Sequence, residues 1–182
     1  MIRLGVFALA SVAIISVSWR SLLHPASHGF PRFFAFESVL GLLVLNASSW
    51  FIDPLGVRQL VSWVLLIGSA VLVVWGFALL RRQGGFKPSE EVSPDFDWER
   101  TGHLVTEGIY GTIRHPMYSS VLLLAWGALL KQVNPGTILL AVAASVALTM
   151  TAKLEEAENL ARFGDEYREY MKRTHRFIPL VF

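Results

Sequence analysis

Long apolar runs alternate with short polar stretches along most of the chain. The clearest run, 60–80, contains no charged residue. A helix needs about 20 apolar residues to cross the roughly 30 Å hydrocarbon core of a membrane. Four further apolar runs cover 4–19, 33–51, 117–130 and 137–152. The pattern therefore predicts an all-α integral membrane bundle of about five transmembrane helices.

The last two runs are separated by Asn134, Pro135 and Gly136, which are typical turn residues. We expect these two runs to form an antiparallel helical hairpin over 116–152. Both arms are short for a full crossing, so either Lys131 near the tip extends its ammonium to water along apolar surface, or the bilayer thins around the hairpin.

Two longer segments are polar. The connector 83–113 is rich in glycine, proline and acidic residues, which indicates a loop. The segment 153–182 has apolar residues at helical spacing and should continue the fifth span as an amphipathic helix, with Gly164 at a bend. Glu158 and Arg162 stand four positions apart there and are expected to form an exposed pair.

The composition excludes several classes of protein. Hydrophobic residues make up 53% of the chain and charged residues only 16%, whereas soluble domains carry about 25% charged residues. A net charge of +2 gives no reason to expect nucleic acid. The absence of cysteine excludes disulfides, thiolate metal sites and a cysteine nucleophile. No histidine pair has the spacing of two ligands on one helix face, so no metal site is predicted.

The positions of lysine and arginine predict the topology. They concentrate in the first connection, in 81–114 and after 152. The positive-inside rule then places the N-terminus outside and the C-terminus in the cytoplasm. The first run also fits a signal peptide, but no small-residue cleavage site follows it, and we expect a retained helix.

The candidate chemistry begins at "RHPMY", residues 114–118. Each residue has a purely structural interpretation. Pro116 suits the first turn of a helix, while Arg114, His115 and Tyr118 suit a membrane boundary.

A second polar cluster follows the fifth span. Glu155 and Glu156 come directly after an uncharged run, and carboxylates at a membrane boundary are costly without cations or water. The hairpin should bring them beside Arg114 and His115. Two polar clusters at one membrane depth indicate a functional site more strongly than either cluster alone.

The stretch "LVTEGIYGTIRHPMY" followed by "EEAENLARFGDEYREYMKRTHRFIP" resembles the isoprenylcysteine carboxyl methyltransferase family of integral membrane methyltransferases. Phospholipid N-methyltransferases share a related pattern. The resemblance covers 104–179, and its specificity lies in the order and spacing of RHPxY, the paired glutamates and FGxEYxxY.

The resemblance implies S-adenosylmethionine-dependent methyl transfer at the cytoplasmic face, to a lipophilic or small hydrophobic acceptor such as a lipid. It divides the chain into an N-terminal three-helix membrane region, 1–82, and a catalytic region, 83–182. The acceptor group (carboxylate, thiol or amine) and the oligomeric state stay open. Methyl transfer depends mostly on positioning, although an amine acceptor would need a base such as Glu155 or Glu156.

The resemblance also implies roles for individual residues. The cofactor-binding residues would be His103, Leu104, Val105, Gly108, Tyr110, His115, Pro116, Tyr118 and Glu156. The catalytic residues would be Arg114, Glu155 and Glu156, and Arg176 would face the substrate. Arg114 has two alternative roles, since it would either bind the methionine carboxylate or brace the glutamates. The family histidine before LVT falls on Gly102 here, and His103 is its nearest substitute.

Two other classes remain as alternatives. Membrane sterol and enone reductases, which use NADPH, have a similar RHP-containing motif. Met117, Ser119 and Ser120 differ from the residues usual there, and the glutamate pair fits the methyltransferase spacing. The third possibility is a non-catalytic membrane protein, in which Arg114 and Glu156 would be dispensable.

Overall fold

The computed structural model describes residues 2–85 and 101–178, and most of the predicted connector loop therefore lies outside the described residues. In this part the chain forms an all-α bundle, which confirms the predicted fold class. The helices are α1 (Ile2–Leu22), α2 (Gly29–Leu45), α3 (Val57–Gln83), α4 (Pro116–Leu129), α5 (Pro135–Phe163) and α6 (Asp165–Arg173). Short 3₁₀ helices cover Ala47–Ser49 and Gly108–Gly111.

By length and composition, α1, α3 and α5 can each cross a membrane, while α4 is a shorter apolar helix. Its 14 residues extend about 21 Å, at roughly 1.5 Å per residue. The predicted hairpin is present, with α4 and α5 as its arms. Asn134 caps α5 by accepting a hydrogen bond from the Thr137 N–H at 3.1 Å, which explains why the chain reverses there.

The predicted boundaries of the second span, 33–51, are wrong, because α2 both begins and ends earlier. Asn46 follows α2 and is only 1% exposed. Its Nδ2 donates to the Ala128 carbonyl at 2.6 Å. The Ser49 hydroxyl donates to Gln132 Oε1 at 2.8 Å. The chain after α2 is therefore bound to the tip of the hairpin instead of continuing as a helix.

The expectation that Lys131 reaches water is also wrong. Lys131 is 1% exposed, and its Nζ donates to Gln59 Oε1 at 3.0 Å. The ammonium lies 3.4 Å from the ring centre of Trp63 and 5.3 Å from that of Trp50. Aromatic ring faces attract cations, so these rings and the amide replace water around the ammonium.

The arms of the bundle pack through small residues. One core cluster joins α2, α4 and α5 through a set of mostly small side chains: Val39, Leu42, Ala125, Ala128, Leu129, Ala141 and Ala144. The Ser62 hydroxyl of α3 donates to the Gly127 carbonyl of α4 at 2.7 Å. Small residues let helix backbones approach closely in membranes. α3 and α5 therefore pack on either side of α4, and one end of each of these helices lies at the same end of the bundle.

The predicted extension of the fifth span is confirmed, since α5 continues to Phe163 and Gly164 separates it from α6. Gly164 has φ +59°, a left-handed conformation that favours glycine. The expected pair of Glu158 with Arg162 is not formed. Glu158 Oε2 lies 2.5 Å from His28 Nδ1, and Arg162 Nη2 donates to the Thr101 carbonyl at 2.5 Å. The neighbouring segments provide both groups with closer partners.

Candidate active site

A cleft lies where α3 ends, α4 begins and α5 meets α6. Its cavity has a volume of about 110 Å³ and is open to the surface. The lining residues are Leu80, Thr101, Leu104, Val105, Tyr110, Arg114, His115, Pro116, Met117, Tyr118, Glu155, Asn159, Phe163, Tyr167 and Tyr170. The two polar clusters that the sequence places beside the hairpin mouth thus meet at one cleft.

The segment before α4 is fixed by the chain that follows α6. The Arg114 N–H donates to the His175 carbonyl at 2.8 Å, and the His115 N–H donates to the Arg176 carbonyl at 3.2 Å. In return, the His175 N–H donates to the Thr112 carbonyl at 2.9 Å. We call this pairing of 112–115 with 175–176 the seam. It holds the backbone of Arg114 and His115 at the edge of the cleft.

Glu156 is buried beneath this edge, with 4% of its surface exposed. Its Oε1 accepts from Arg114 Nε at 2.9 Å and from Arg176 Nε at 3.1 Å, and its Oε2 accepts from Arg176 Nη2 at 2.6 Å. These bonds raise the pKa of the Arg176 guanidinium. Two guanidinium groups therefore compensate the burial of one carboxylate.

Arg114 is held by further acceptors. Its Nη1 donates to the carbonyls of Met171 and Thr174 and to the Thr174 hydroxyl. Two of its three nitrogens are thus bonded to protein, whereas Nη2 makes no hydrogen bond to the described residues. The side chain braces Glu156 and the end of α6, and it also lines the cleft.

Glu155 differs sharply from its neighbour. It lines the cleft, its side chain is 30% exposed, and Oε2 lies 3.7 Å from His115 Nδ1. It makes no hydrogen bond to the residues that the structure describes. The other ring nitrogen, His115 Nε2, lies 3.4 Å from Glu156 Oε1 and is buried without an aligned hydrogen bond in the same described part. The site therefore contains one carboxylate, that of Glu155, which makes no hydrogen bond to the described protein.

Aromatic side chains surround these polar groups. The His115 ring stacks on Tyr118 with centroids 5.3 Å apart. Tyr110, Tyr167 and Tyr170 are each no more than 7% exposed, and the Tyr170 hydroxyl donates to the Tyr110 carbonyl at 2.7 Å. Burial raises the pKa of all three phenols. They are consequently neutral at physiological pH.

Several lining residues were not predicted, notably Asn159, Phe163, Tyr167 and Tyr170. Asn159 stands four positions after Glu155, so helical spacing could have placed it on the same face. Tyr167 and Tyr170 belong to the FGxEYxxY part of the resemblance, which was the available signal for them. No comparable pattern in the sequence indicates that Thr101, Leu80 or Met117 would line the cleft.

Four predicted site residues lie outside the lining of the cleft. Glu156 and Arg176 pair beneath it. His103 is exposed, and a Cβ at Gly85 would lie 3.0 Å from its ring. Gly108 has φ +59°, and a Cβ there would lie 2.7 Å from Leu79 Cδ1. The structure thus brings Gly108 against α3 and His103 against the end of α3.

Comparisons with known proteins find similarity to methyltransferases. The chain is 24% identical over 150 residues to methanethiol S-methyltransferase from Pseudomonas deceptionensis, covering 81% of this chain and 50% of that protein. It is 34% identical over 79 residues to protein-S-isoprenylcysteine O-methyltransferase from Schizosaccharomyces pombe, covering 43% of this chain and 34% of that protein. No solved structure matches the chain.

The chain spans half the length of the first of these relatives and about a third of the second. The model of the phospholipid methyltransferase family matches residues 57–166. That range is well over half of the chain, and it includes α3, the RHP segment, both glutamates and the start of α6. This chain, a membrane helical bundle, belongs to the phospholipid methyltransferase family.

Proposed function

We propose that the protein is an S-adenosylmethionine-dependent methyltransferase acting on a lipophilic or small hydrophobic acceptor. The observation that carries the proposal is the cleft itself, where the unbonded carboxylate of Glu155 lies among neutral tyrosines beside the RHP segment. The membership of the chain in the phospholipid methyltransferase family supports the same conclusion.

The residues of the cleft fit the chemistry of the donor. Glu155 can accept hydrogen bonds from the ammonium or ribose hydroxyls. Arg114 Nη2 can donate to the methionine carboxylate while Nε braces Glu156 and Nη1 holds the end of α6, so one side chain serves both of the roles that the sequence left open. Leu104 and Val105 offer apolar surface to the adenine ring.

Bound there, S-adenosylmethionine supplies a methyl group on a positively charged sulfur. The faces of Tyr110, Tyr167 and Tyr170 suit such a cation, because aromatic faces attract positive charge. The protein's contribution is mainly positioning, which alone lowers the barrier of a displacement considerably. In this scheme Glu156 and Arg176 act by fixing Arg114 and the seam, and they need not touch either reactant.

We also propose the orientation indicated by the basic residues, with the cleft on the cytoplasmic side and the N-terminus outside. Membrane lipids would then surround the apolar faces of α1, α3 and α5, which carry many exposed large hydrophobic residues. The reductase alternative receives no support from the comparisons.

Isothermal calorimetry on the purified full chain in detergent tests the proposal. We expect S-adenosylmethionine to bind and NADPH not to bind. Glu155→Gln should weaken donor binding about ten- to a hundredfold, because hydrogen bonds to charged groups contribute about 1.5–3 kcal/mol. Glu166→Gln, on the exposed face of α6, is the matched control and should bind normally. Binding of NADPH alone would contradict the proposal, as would equal donor binding by both variants.

A further inference from the structure

The connection between α2 and α3 exposes a large apolar surface at the end of the bundle opposite the cleft. Its central segment is 50–57, which we call the apolar loop. We propose that the apolar loop inserts into the bilayer leaflet on that side, with its side chains among the acyl chains. This surface is separate from the cleft, so the inference does not depend on the proposed function.

Large apolar side chains of the loop are almost fully exposed. The exposed fraction lies between 61% and 81% for each of four residues, Phe51, Ile52, Leu55 and Val57. Asp53 is the only charged residue of the segment. Exposed apolar residues scattered singly are normal on any protein surface, whereas a contiguous group indicates contact with a membrane or a partner.

The same apolar surface continues along α3, which indicates that the partner is lipid. Val57, Val61 and Val64 stand at helical spacing on one side of α3, and all three are exposed. Because α3 is long and apolar enough to cross a membrane, its exposed side chains contact acyl chains. The loop directly precedes this stripe, so acyl chains are the partner that fits the loop as well.

The backbone of the connection forms hydrogen-bonded turns, which suit an apolar environment. Unpaired N–H and carbonyl groups are costly among acyl chains. The Ser49 N–H donates to the Asn46 carbonyl at 2.8 Å, and the Gly56 N–H donates to the Asp53 carbonyl at 3.1 Å. The Asp53 carboxylate also folds back toward Gly56, where a Cβ would overlap it. The turn thus folds its own polar groups together while the apolar side chains stay exposed.

Polar side chains beneath the loop are bonded to protein groups. Gln59 Nε2 donates to the Lys131 carbonyl at 3.2 Å and to the Ser49 carbonyl at 3.4 Å, while Gln59 Oε1 accepts from the Lys131 ammonium. A lysine near a helix end normally extends its ammonium into water. Hydrocarbon around the loop explains why Lys131 is instead enclosed by an amide and aromatic rings.

Aromatic rings at the base of the loop match a membrane boundary. The Trp63 ring centre lies 6.1 Å from that of Trp50 and 6.0 Å from that of Phe51, and tryptophan is enriched where the hydrocarbon core meets the headgroups. From Val57 to Gly76, α3 extends about 28 Å at roughly 1.5 Å per residue. A Cβ at Gly76 would lie 3.4 Å from Pro116 Cγ. With the hydrocarbon core about 30 Å thick, a loop anchored at one boundary places the RHP segment near the other.

Fluorescent labelling of the full chain in lipid nanodiscs tests the inference. The native sequence contains no cysteine, so each single-cysteine variant carries an environment-sensitive fluorophore at one position only. We would label Leu55→Cys and use two references, Val71→Cys on the exposed apolar side of α3 and Glu166→Cys on the exposed face of α6. The label at position 55 should emit at a shorter wavelength than the label at position 166.

Quenching by nitroxide-labelled lipids then measures the depth of the label. A nitroxide near the headgroup should quench the label at position 55 more strongly than a nitroxide at the end of the acyl chain. The label at position 71 should show the opposite order, because it lies near the middle of α3.

A second variant tests whether the apolar side chains cause the insertion. With the label placed by Ile52→Cys, the double substitution Phe51→Ser and Leu55→Ser should move the emission to longer wavelength and reduce the quenching. Val71→Ser is the matched control, since it removes an equally lipid-exposed side chain elsewhere, and it should leave both signals unchanged.

Two results would overturn the inference. Emission at position 55 equal to that at position 166, with no lipid quenching, would show that the loop lies in water. Emission at short wavelength without quenching by either lipid would show that protein covers the loop, for example a second copy of the chain.

Discussion

The two ends of the α4–α5 hairpin use polar residues in opposite ways. At the tip, Lys131 is bonded to Gln59, and Asn46 is bonded to the Ala128 carbonyl. At the other end, Glu155 lines a cleft and makes no hydrogen bond to the described residues. The tip joins helix ends to one another, whereas the cleft leaves polar atoms accessible. Available charge at a concave site is typical of binding and catalysis.

The largest effect should come from replacing Glu156, the carboxylate that is hydrogen-bonded beneath the cleft. Glu156→Ala leaves Arg114 and Arg176 without their shared partner in a buried position. Removing one member of a buried ion pair typically costs about 3–5 kcal/mol. We expect a large fall in the thermal unfolding temperature in detergent, with loss of donor binding.

The matched control is Glu169→Ala, which removes an exposed pair with Lys172 on α6. Exposed pairs contribute about 0–1 kcal/mol, so this variant should unfold close to the native temperature. Equal stability of the Glu156 and Glu169 variants would contradict the assignment of Glu156 as the residue that holds the seam in place.

At the tip, Asn46→Ala should have an intermediate effect on stability and none on donor binding. The substitution removes the hydrogen bond to the buried Ala128 carbonyl, and an unsatisfied buried group costs about 1–3 kcal/mol. Thermal unfolding and donor calorimetry on one preparation measure both quantities. A loss of donor affinity comparable to that of Glu155→Gln would mean that the two ends are coupled.

Tyr170→Phe should have a smaller effect, at the cleft. It removes the hydroxyl that donates to the Tyr110 carbonyl, and a typical hydrogen bond contributes about 0.5–1.5 kcal/mol. The ring and its face remain, so donor affinity should fall only slightly. Tyr170→Leu, which removes the aromatic face, should weaken donor binding more, and similar affinities for the two variants would argue against a role for that face.

The smallest effect should come from Lys131→Met. Methionine has a similar length and no charge. Removing the buried ammonium should favour folding about as much as losing its hydrogen bond to Gln59 disfavours it, since replacing buried charge by apolar volume is often neutral. Unfolding temperature and donor affinity should both stay close to native. A large destabilisation would show that the contact of the ammonium with Trp63 stabilises the tip strongly.

Helical periodicity and the turn at Asn134 were sufficient to predict the hairpin, the extension of α5 and the bend at Gly164. The same two patterns predicted that Arg114, His115 and Glu155 lie close together. They could not separate Glu155 from Glu156, because adjacent residues on a helix differ by about 100° in direction, and which of them meets Arg176 depends on tertiary packing. The burial of Lys131 escaped prediction for the same reason, since Trp63 and Gln59 lie about 70 positions earlier in the chain.

The seam has a consequence for the order of assembly during translation. Arg114 is bonded to Thr174, which lies 60 positions later, and a ribosome adds about 5–20 residues per second. Several seconds therefore separate the synthesis of the RHP segment from that of its backbone partners. The hairpin is completed within this interval, while the edge of the cleft is not yet formed. The nascent protein thus has its membrane helices before it has a complete cleft, whose edge forms only after α6 and the residues that follow it have docked.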